Sequence, residues 1–211
     1  MRAARRFVSL PLEHTMVEHT PQSQHEQSDI RPDTPGENDP GTGRRLALDV
    51  GTVRIGVAYS DRAAVLANPL ETVQRTTKFQ DPDGSDIQRI LELVREHQIV
   101  EVVVGLPRNL DGSGSSSVRH AQDIARRLEL QLSQRSPEVP VRFADERLTT
   151  VMAHQTMKAT GLSQKKGRKV VDQIAAVNIL QQWLDGRSRT LARLAFEAEQ
   201  AEQTEWLDSP E

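Results

Sequence analysis

The 211-residue chain contains no cysteine. That excludes disulfides and thiolate metal sites, and it is compatible with a reducing compartment. Nowhere does an apolar run approach the roughly 18 residues that a membrane-spanning helix requires, so no membrane partner is expected. Internal repeats, zinc-type ligand spacing, a phosphate-binding P-loop and a nucleophile elbow are all lacking. The six histidines do not fill these gaps. His14, His19 and His25 lie in a polar tail, His97 and His120 fall on expected helix surfaces, and His154 has no evident ligand partner. Arg2, Arg5 and Arg6 precede the short apolar run Phe7–Leu10, but Ser9 interrupts it and Pro11 and Glu13 end it. It makes a poor secretory signal, and the expected location is the cytoplasm.

What is present is unevenly distributed. Residues 44–187 hold 21 Lys+Arg against 17 Asp+Glu, whereas residues 1–43 and 188–211 are both net acidic. A mildly basic centre is compatible with a nucleic-acid ligand without requiring one. Residues 15–43 are rich in Pro, Gln, Glu, His, Asp and Gly and almost devoid of apolar side chains after Val17. Such a segment buries too little surface to offset its ordering entropy, so residues 1–43 are expected to form a disordered extension. Initiation at Met16 is an alternative reading of this end. Residues 188–211 are expected to be an acidic, frayed tail, although Leu194 and Phe196 leave open an extended helix.

Between the two ends, Arg45–Val50 and Arg54–Ser60 are β-rich runs separated by Gly51-Thr52, the pattern of a hairpin. Leu70–Gln74 reads as a third strand, Val100–Val104 as a buried fourth and Val139–Phe143 as a fifth. Asp86–His97 and Ser116–Leu132 carry apolar residues at helical spacing. Thr149–Thr160 and Lys169–Leu184 are expected as two more helices, joined through Gly161 and a basic loop. A meander of three strands followed by alternating helix and strand predicts a mixed α/β domain over residues 44–187.

Three acidic positions interrupt this pattern. Asp49 closes an otherwise apolar strand, where a carboxylate is costly unless solvated, paired or bound to a cation. It can also simply open the turn. Small Gly56 and Ala58 on the returning strand leave room for close approach by a backbone or ligand. Asp145-Glu146 directly follows the fifth strand, where acidic residues also suit a helix N-terminus. Asp172 lies near a face of small and apolar residues, Ala175, Ala176, Ile179 and Trp183, and a favourable first-turn position is the competing explanation. Three carboxylates following three elements can converge, and such oxygen clusters suit Mg²⁺ or Mn²⁺. Two such ions can activate water and stabilise the leaving oxygen of a phosphodiester. For phosphate contact the candidates are Arg108, in the stretch Gly105–Ser113 before a helix start, and the run Lys165, Lys166, Arg168 and Lys169.

Taken together, the motifs resemble the YqgF/RuvX family, pre-16S ribosomal RNA nucleases related to Holliday-junction resolvases. The residues that carry the likeness are Leu48–Gly51 with Arg54–Ala58, Val104–Pro107, Asp145–Thr150, and Val171–Ala176 with Ile179–Gln181. It spans roughly Arg44 to Leu184. The resemblance implies a ribonuclease-H-like, mixed five-stranded sheet flanked by helices, dependence on Mg²⁺ or Mn²⁺, and processing of the 5′ end of pre-16S rRNA during ribosome biogenesis. It points to Asp49, Glu146 and Asp172 as the acidic, metal-binding set, with Asp145 as a substitute for Glu146. The nucleic-acid backbone is assigned to Arg54, Arg108, Arg147, Lys165, Lys166, Arg168 and Lys169. Resolvases carry an acidic residue after the fourth strand, where this chain has Gly105-Leu106-Pro107. Implied partners are pre-16S rRNA, within or outside pre-ribosomal particles, and branched DNA, with the chain acting as a monomer or weak homodimer.

Other readings compete. Sugar kinases and actin-like ATPases share the D-x-G-T hairpin, but they use two duplicated domains, and about 140 residues here allow one. A resolvase acting on DNA needs a two-fold dimer to cut symmetrically. A non-catalytic RNA-binding assembly factor would tolerate Asp49→Asn, whereas a two-metal enzyme would not.

Overall fold

The computed structural model describes residues 31–107, 116–135, 137–145 and 164–207, with side chains of the last helix described from Gln173 to Ala201 and at Gln203. Among the described residues, five strands and three helices follow in order: β1 (Arg44–Val50), β2 (Arg54–Ser60), β3 (Ala67–Gln74), α1 (Ser85–Glu96), β4 (Ile99–Leu106), α2 (Ser116–Leu132), β5 (Val141–Asp145) and α3 (Gln164–Leu207). The sheet order is β3-β2-β1-β4-β5. β1–β2 and β2–β3 are antiparallel, while β1–β4 and β4–β5 are parallel. β1, β3, β4 and β5 therefore all end at one edge of the sheet. This is the mixed α/β sheet that the order of elements predicted, with the five strands flanked by helices that the family resemblance implied.

Strand alternation divides the core in two. Leu46, Leu48 and Val50 of β1 pack with Ile55 and Val57, Val102 and Val104, and the apolar stripes of α1 and α2. Ala47 and Ala58 point the other way, with Val103 and Ala144, and meet Ala176, Ile179, Leu180, Trp183 and Leu184 of α3. The small side chains on this second face allow α3 to approach the sheet closely.

Several boundaries differ from the sequence reading. β3 begins at Ala67, because an edge strand tolerates Pro69 and the register shifts between Val57 and Ala58 opposite it. β5 starts only after Pro140, which has no N–H to donate. Asp145 is thereby the last residue of the strand. The expected basic loop is instead the opening of α3, since Gln, Lys and Arg are good helix formers that offset the single Gly167. Residues 188–207 continue the same 44-residue helix, so a frayed tail is corrected up to Leu207. The proposed helix Thr149–Thr160 lies outside the described residues.

Part of the extension expected to be disordered is ordered by polar contacts. Asp33 brackets Phe143 of edge strand β5, donating its N–H to the carbonyl at 2.8 Å and accepting from the N–H through its carboxylate at 2.6 Å. Asp39 accepts from buried Arg45 at 2.8 Å and from Arg187 of α3 at 2.6 and 2.7 Å. Beneath it Glu101, 2% exposed, accepts from Trp183 Nε1 at 2.8 Å and faces Arg45 Nε at 3.6 Å. Burial pushes the Glu101 carboxyl upward against the pull of these partners. Among the described residues, no helix is long and apolar enough to cross a membrane.

Candidate functional site

Asp49 sits one residue before the end of β1, directly opposite Gly56 of β2, which in turn faces Thr72 of β3. On the other flank Leu48 pairs with Val104 and Gly105 with Ala144, so Gly105 is the β4 neighbour of Asp49 and Ala144 ends the row. Ala47 and Ala144 belong to the core under α3, and alternation places the whole row Thr72–Gly56–Asp49–Gly105–Ala144 on that face. A half-buried carboxylate thus stands between two glycines at the end of a β-strand. Glycine within a strand often marks close approach by a backbone or a ligand.

α3 reaches this row. Gln173 Nε2 donates to Thr72 Oγ1 at 3.3 Å, which fixes that turn of the helix over the β3 end of the row. Asp172 is the preceding residue. α3 starts at Gln164, so Asp172 stands well past the first turn, where a helix dipole would favour a carboxylate. The first-turn explanation of Asp172 is removed.

Asp145 is placed differently. Phe143 packs into the α1–α2 side of the core and Ala144 into the α3 side. Alternation sends Asp145 to the α1–α2 side, the face opposite Asp49. Arg54 opens β2 two residues before Gly56 and shares the Asp49 face, paired in register with Gln74. Lys165, Lys166, Arg168, Lys169 and Asp172 lie within α3, and their side chains are outside the described set. Arg108, Glu146 and Arg147 also lie outside the described residues. Among the described residues, no group of three or more His, Cys, Asp or Glu is close enough to hold a metal ion.

The turn that follows Asp49 is tied down by backbone and arginine contacts. Gly51 donates its N–H to Arg54 O at 2.9 Å to close the turn, and a Cβ at Gly51 would come within 2.8 Å of the same oxygen. Arg75, just past β3, donates its N–H to Val53 O at 2.9 Å and Nη1 to Gly51 O at 3.1 Å. Arg75 Nε in turn faces buried Asp86 at 3.5 Å. Asp86 also accepts from the N–H groups of Thr76 and Thr77 at 3.0 Å each and from both threonine hydroxyls. These bonds outweigh its burial and hold its pKa at about 2. Arg75 carried no sequence signal, because a single arginine after a strand has no period to mark it.

Residues 43–186 match the family model described as RuvX: Holliday junction resolvase. The chain belongs to the RuvX family. A RuvX relative from Corynebacterium glutamicum, named "Putative pre-16S rRNA nuclease", is 59% identical over 162 residues, covering 77% of this chain and 89% of that one. A relative of the same name from Mycolicibacterium smegmatis is 49% identical over 164 residues, covering 78% and 93%. Among solved structures, the yeast mitochondrial Holliday junction resolvase is similar at a TM-score of 0.46 and 11% identity, over 74% of this chain and 83% of that one. The RuvX match takes in the whole sheet and the part of α3 that packs on it. It excludes the segment bearing Asp33 and Asp39 and the outer part of α3.

Proposed function

We propose that the chain is a divalent-metal-dependent nuclease that hydrolyses phosphodiester bonds in processing the 5′ end of pre-16S rRNA. The observation that carries this reading is the row at the strand ends: Asp49 between two glycines on the α3 face, with the helix that bears Asp172 crossing the same row. The names of the relatives at 49–59% identity support the RNA substrate.

The donor chemistry fits a hard cation. Carboxylate oxygens suit Mg²⁺ or Mn²⁺, and glycine on either flank of Asp49 suits close approach by a ligand. Asp49, Glu146 and Asp172 would hold it. Of the acidic pair we assign the role to Glu146, because Asp145 leaves the sheet from the face opposite Asp49. When bound, such ions activate water and neutralise charge on the leaving oxygen. The chain's own contribution is to fix the carboxylates on rigid strand and helix ends. Arg54, Arg108, Arg147 and the cations at the start of α3 would hold the RNA backbone.

The test incubates purified protein with precursor 16S rRNA and with four-way DNA junctions, each with Mn²⁺, Mg²⁺ or chelator. Metal-dependent trimming of the RNA by the wild type, lost in folded Asp49→Asn, is the expected result. Equal RNA cleavage by Asp49→Asn would refute the reading. Cutting of the junction alone would favour the resolvase activity named in the family description.

A further inference from the structure

The opposite face of the sheet carries a second feature that the acidic row does not use. The loop after β3 and the first half of α2 enclose an open groove of about 470 Å³, lined by Phe79, Asp81, Arg119, Asp123, Arg126 and Arg127. Phe79 is stacked on His120 at 4.6 Å between ring centroids and 22° between planes, yet remains 46% exposed. One face of the phenyl ring is thus supported by the protein while much of the ring meets solvent.

The charges around the ring are sorted. Arg127 is engaged by Asp83 at 2.7 Å and by Asp123 at 3.0 Å, and it also donates to Asp81 O at 2.9 Å. These bonds lock the loop onto α2 and neutralise Asp123. Arg119 and Arg126 are exposed on the same helix and make no hydrogen bond or ion pair among the described residues. Burial, with Arg75 and Arg119 nearby, pushes the His120 pKa down, which favours the neutral ring. A supported aromatic face beside two uncommitted guanidinium groups matches the chemistry of a single nucleic-acid strand, with bases that stack and phosphates that pair.

The position also fits. β3 ends at the same sheet edge as β1, and Arg75, which grips the Gly51–Val53 turn, begins the loop that carries Phe79 four residues later. Four residues span at most about 14 Å, so the stacked pair lies a few nucleotides from the tip that presents Asp49.

We propose that this groove binds single-stranded RNA, a base stacking on the Phe79–His120 pair while neighbouring phosphates meet Arg119 and Arg126. The proposal rests on the nuclease reading for its substrate class and adds where the flanking single strand of that substrate runs. The scissile segment lies at Asp49 on one face, and the strand continues around the sheet edge into the groove on the other.

The experiment measures binding of a fluorescent single-stranded oligoadenylate to the full chain in chelator, where no cleavage occurs, with 2-aminopurine and abasic versions of the same oligonucleotide. Phe79→Leu keeps the apolar volume and should weaken binding about tenfold and abolish 2-aminopurine quenching, while Phe79→Trp preserves both. The abasic strand should bind wild type and Phe79→Leu alike. Arg119→Gln with Arg126→Gln should lower the log-affinity against log-salt slope by about 1.4. Circular dichroism checks that each variant is folded, as expected for exposed positions. Unchanged affinity and quenching in Phe79→Leu, or an unchanged salt slope in the double arginine variant, overturns the proposal. So does wild-type protein that trims precursor rRNA but does not bind the single strand, a result that leaves the nuclease reading standing.

Discussion

Replacing Asp86 by Asn should destabilise the protein far more than a one-atom change at an ordinary carboxylate. Asp86 is fully buried and gathers the N–H groups of Thr76, Thr77 and Ile87, both threonine hydroxyls and the Arg75 guanidinium around its two oxygens. Its pKa falls from the ordinary 3.8 to about 2, which corresponds to about 2 kcal/mol of stability carried by the ionised form. Asparagine retains one acceptor and turns an NH₂ toward groups that are themselves donors, so the total loss should reach about 2–3 kcal/mol. Because the folded pKa is depressed, this stability is fully present above pH 3.8 and is lost as the pH falls through about 2. Urea unfolding of wild type and Asp86→Asn at neutral pH should show the full gap, which should narrow as the pH is lowered below 3.8. A gap under about 0.5 kcal/mol at neutral pH, or one that does not narrow in acid, would refute the assignment of Asp86 as the anchor of the 75–84 loop.

Three further outcomes follow from other contacts. Trp183→Phe removes the indole N–H that Glu101 accepts and should cost about 1–3 kcal/mol in chemical denaturation, because a buried acceptor loses its donor. Asp39→Ala removes the carboxylate that Arg45 and Arg187 share, and leaves the wholly buried Arg45 with Glu101 and the carbonyls of Gly41 and Gly43. It should lower stability by about 3 kcal/mol, as breaking a buried pair does, and a thermal melt superimposing on wild type would show that this segment does not brace α3. Neutralising Lys165, Lys166, Arg168 and Lys169 to Gln should reduce the salt-dependence slope of RNA binding by up to about 3, read by fluorescence anisotropy across a salt series.

The strands, the amphipathic helices and the position of Asp49 were legible because burial imposes a period. The alternation of Leu46, Leu48 and Val50 with Ala47 and Asp49 marks both faces of β1 in the residues themselves. Ends were less legible. Pro140 hid where β5 begins, and the two-residue displacement brings Asp145 into the strand, where alternation fixes its side. The opening of α3 was hidden because Gly167 and a run of cations look like loop, yet the helix propensities of Lys and Arg prevail. The segment around Asp33 and Asp39 was unreadable for a different reason. It is held by carboxylates on buried arginine and on backbone amides, and such contacts between residues as distant as Asp39 and Arg187 leave no local pattern. Phe79 was equally silent, since one aromatic in a polar loop has no periodicity to reveal its partner on α2.

The proposed cation site brings Asp49 and Asp172 together with Glu146. Titration of Mn²⁺ followed by electron paramagnetic resonance, on wild type and on folded Asp49→Asn, Glu146→Gln and Asp172→Asn, tests it most directly. Weaker Mn²⁺ binding in each single variant, with Asp145→Asn close to wild type, is the predicted result. Wild-type Mn²⁺ affinity in Asp49→Asn would contradict the account.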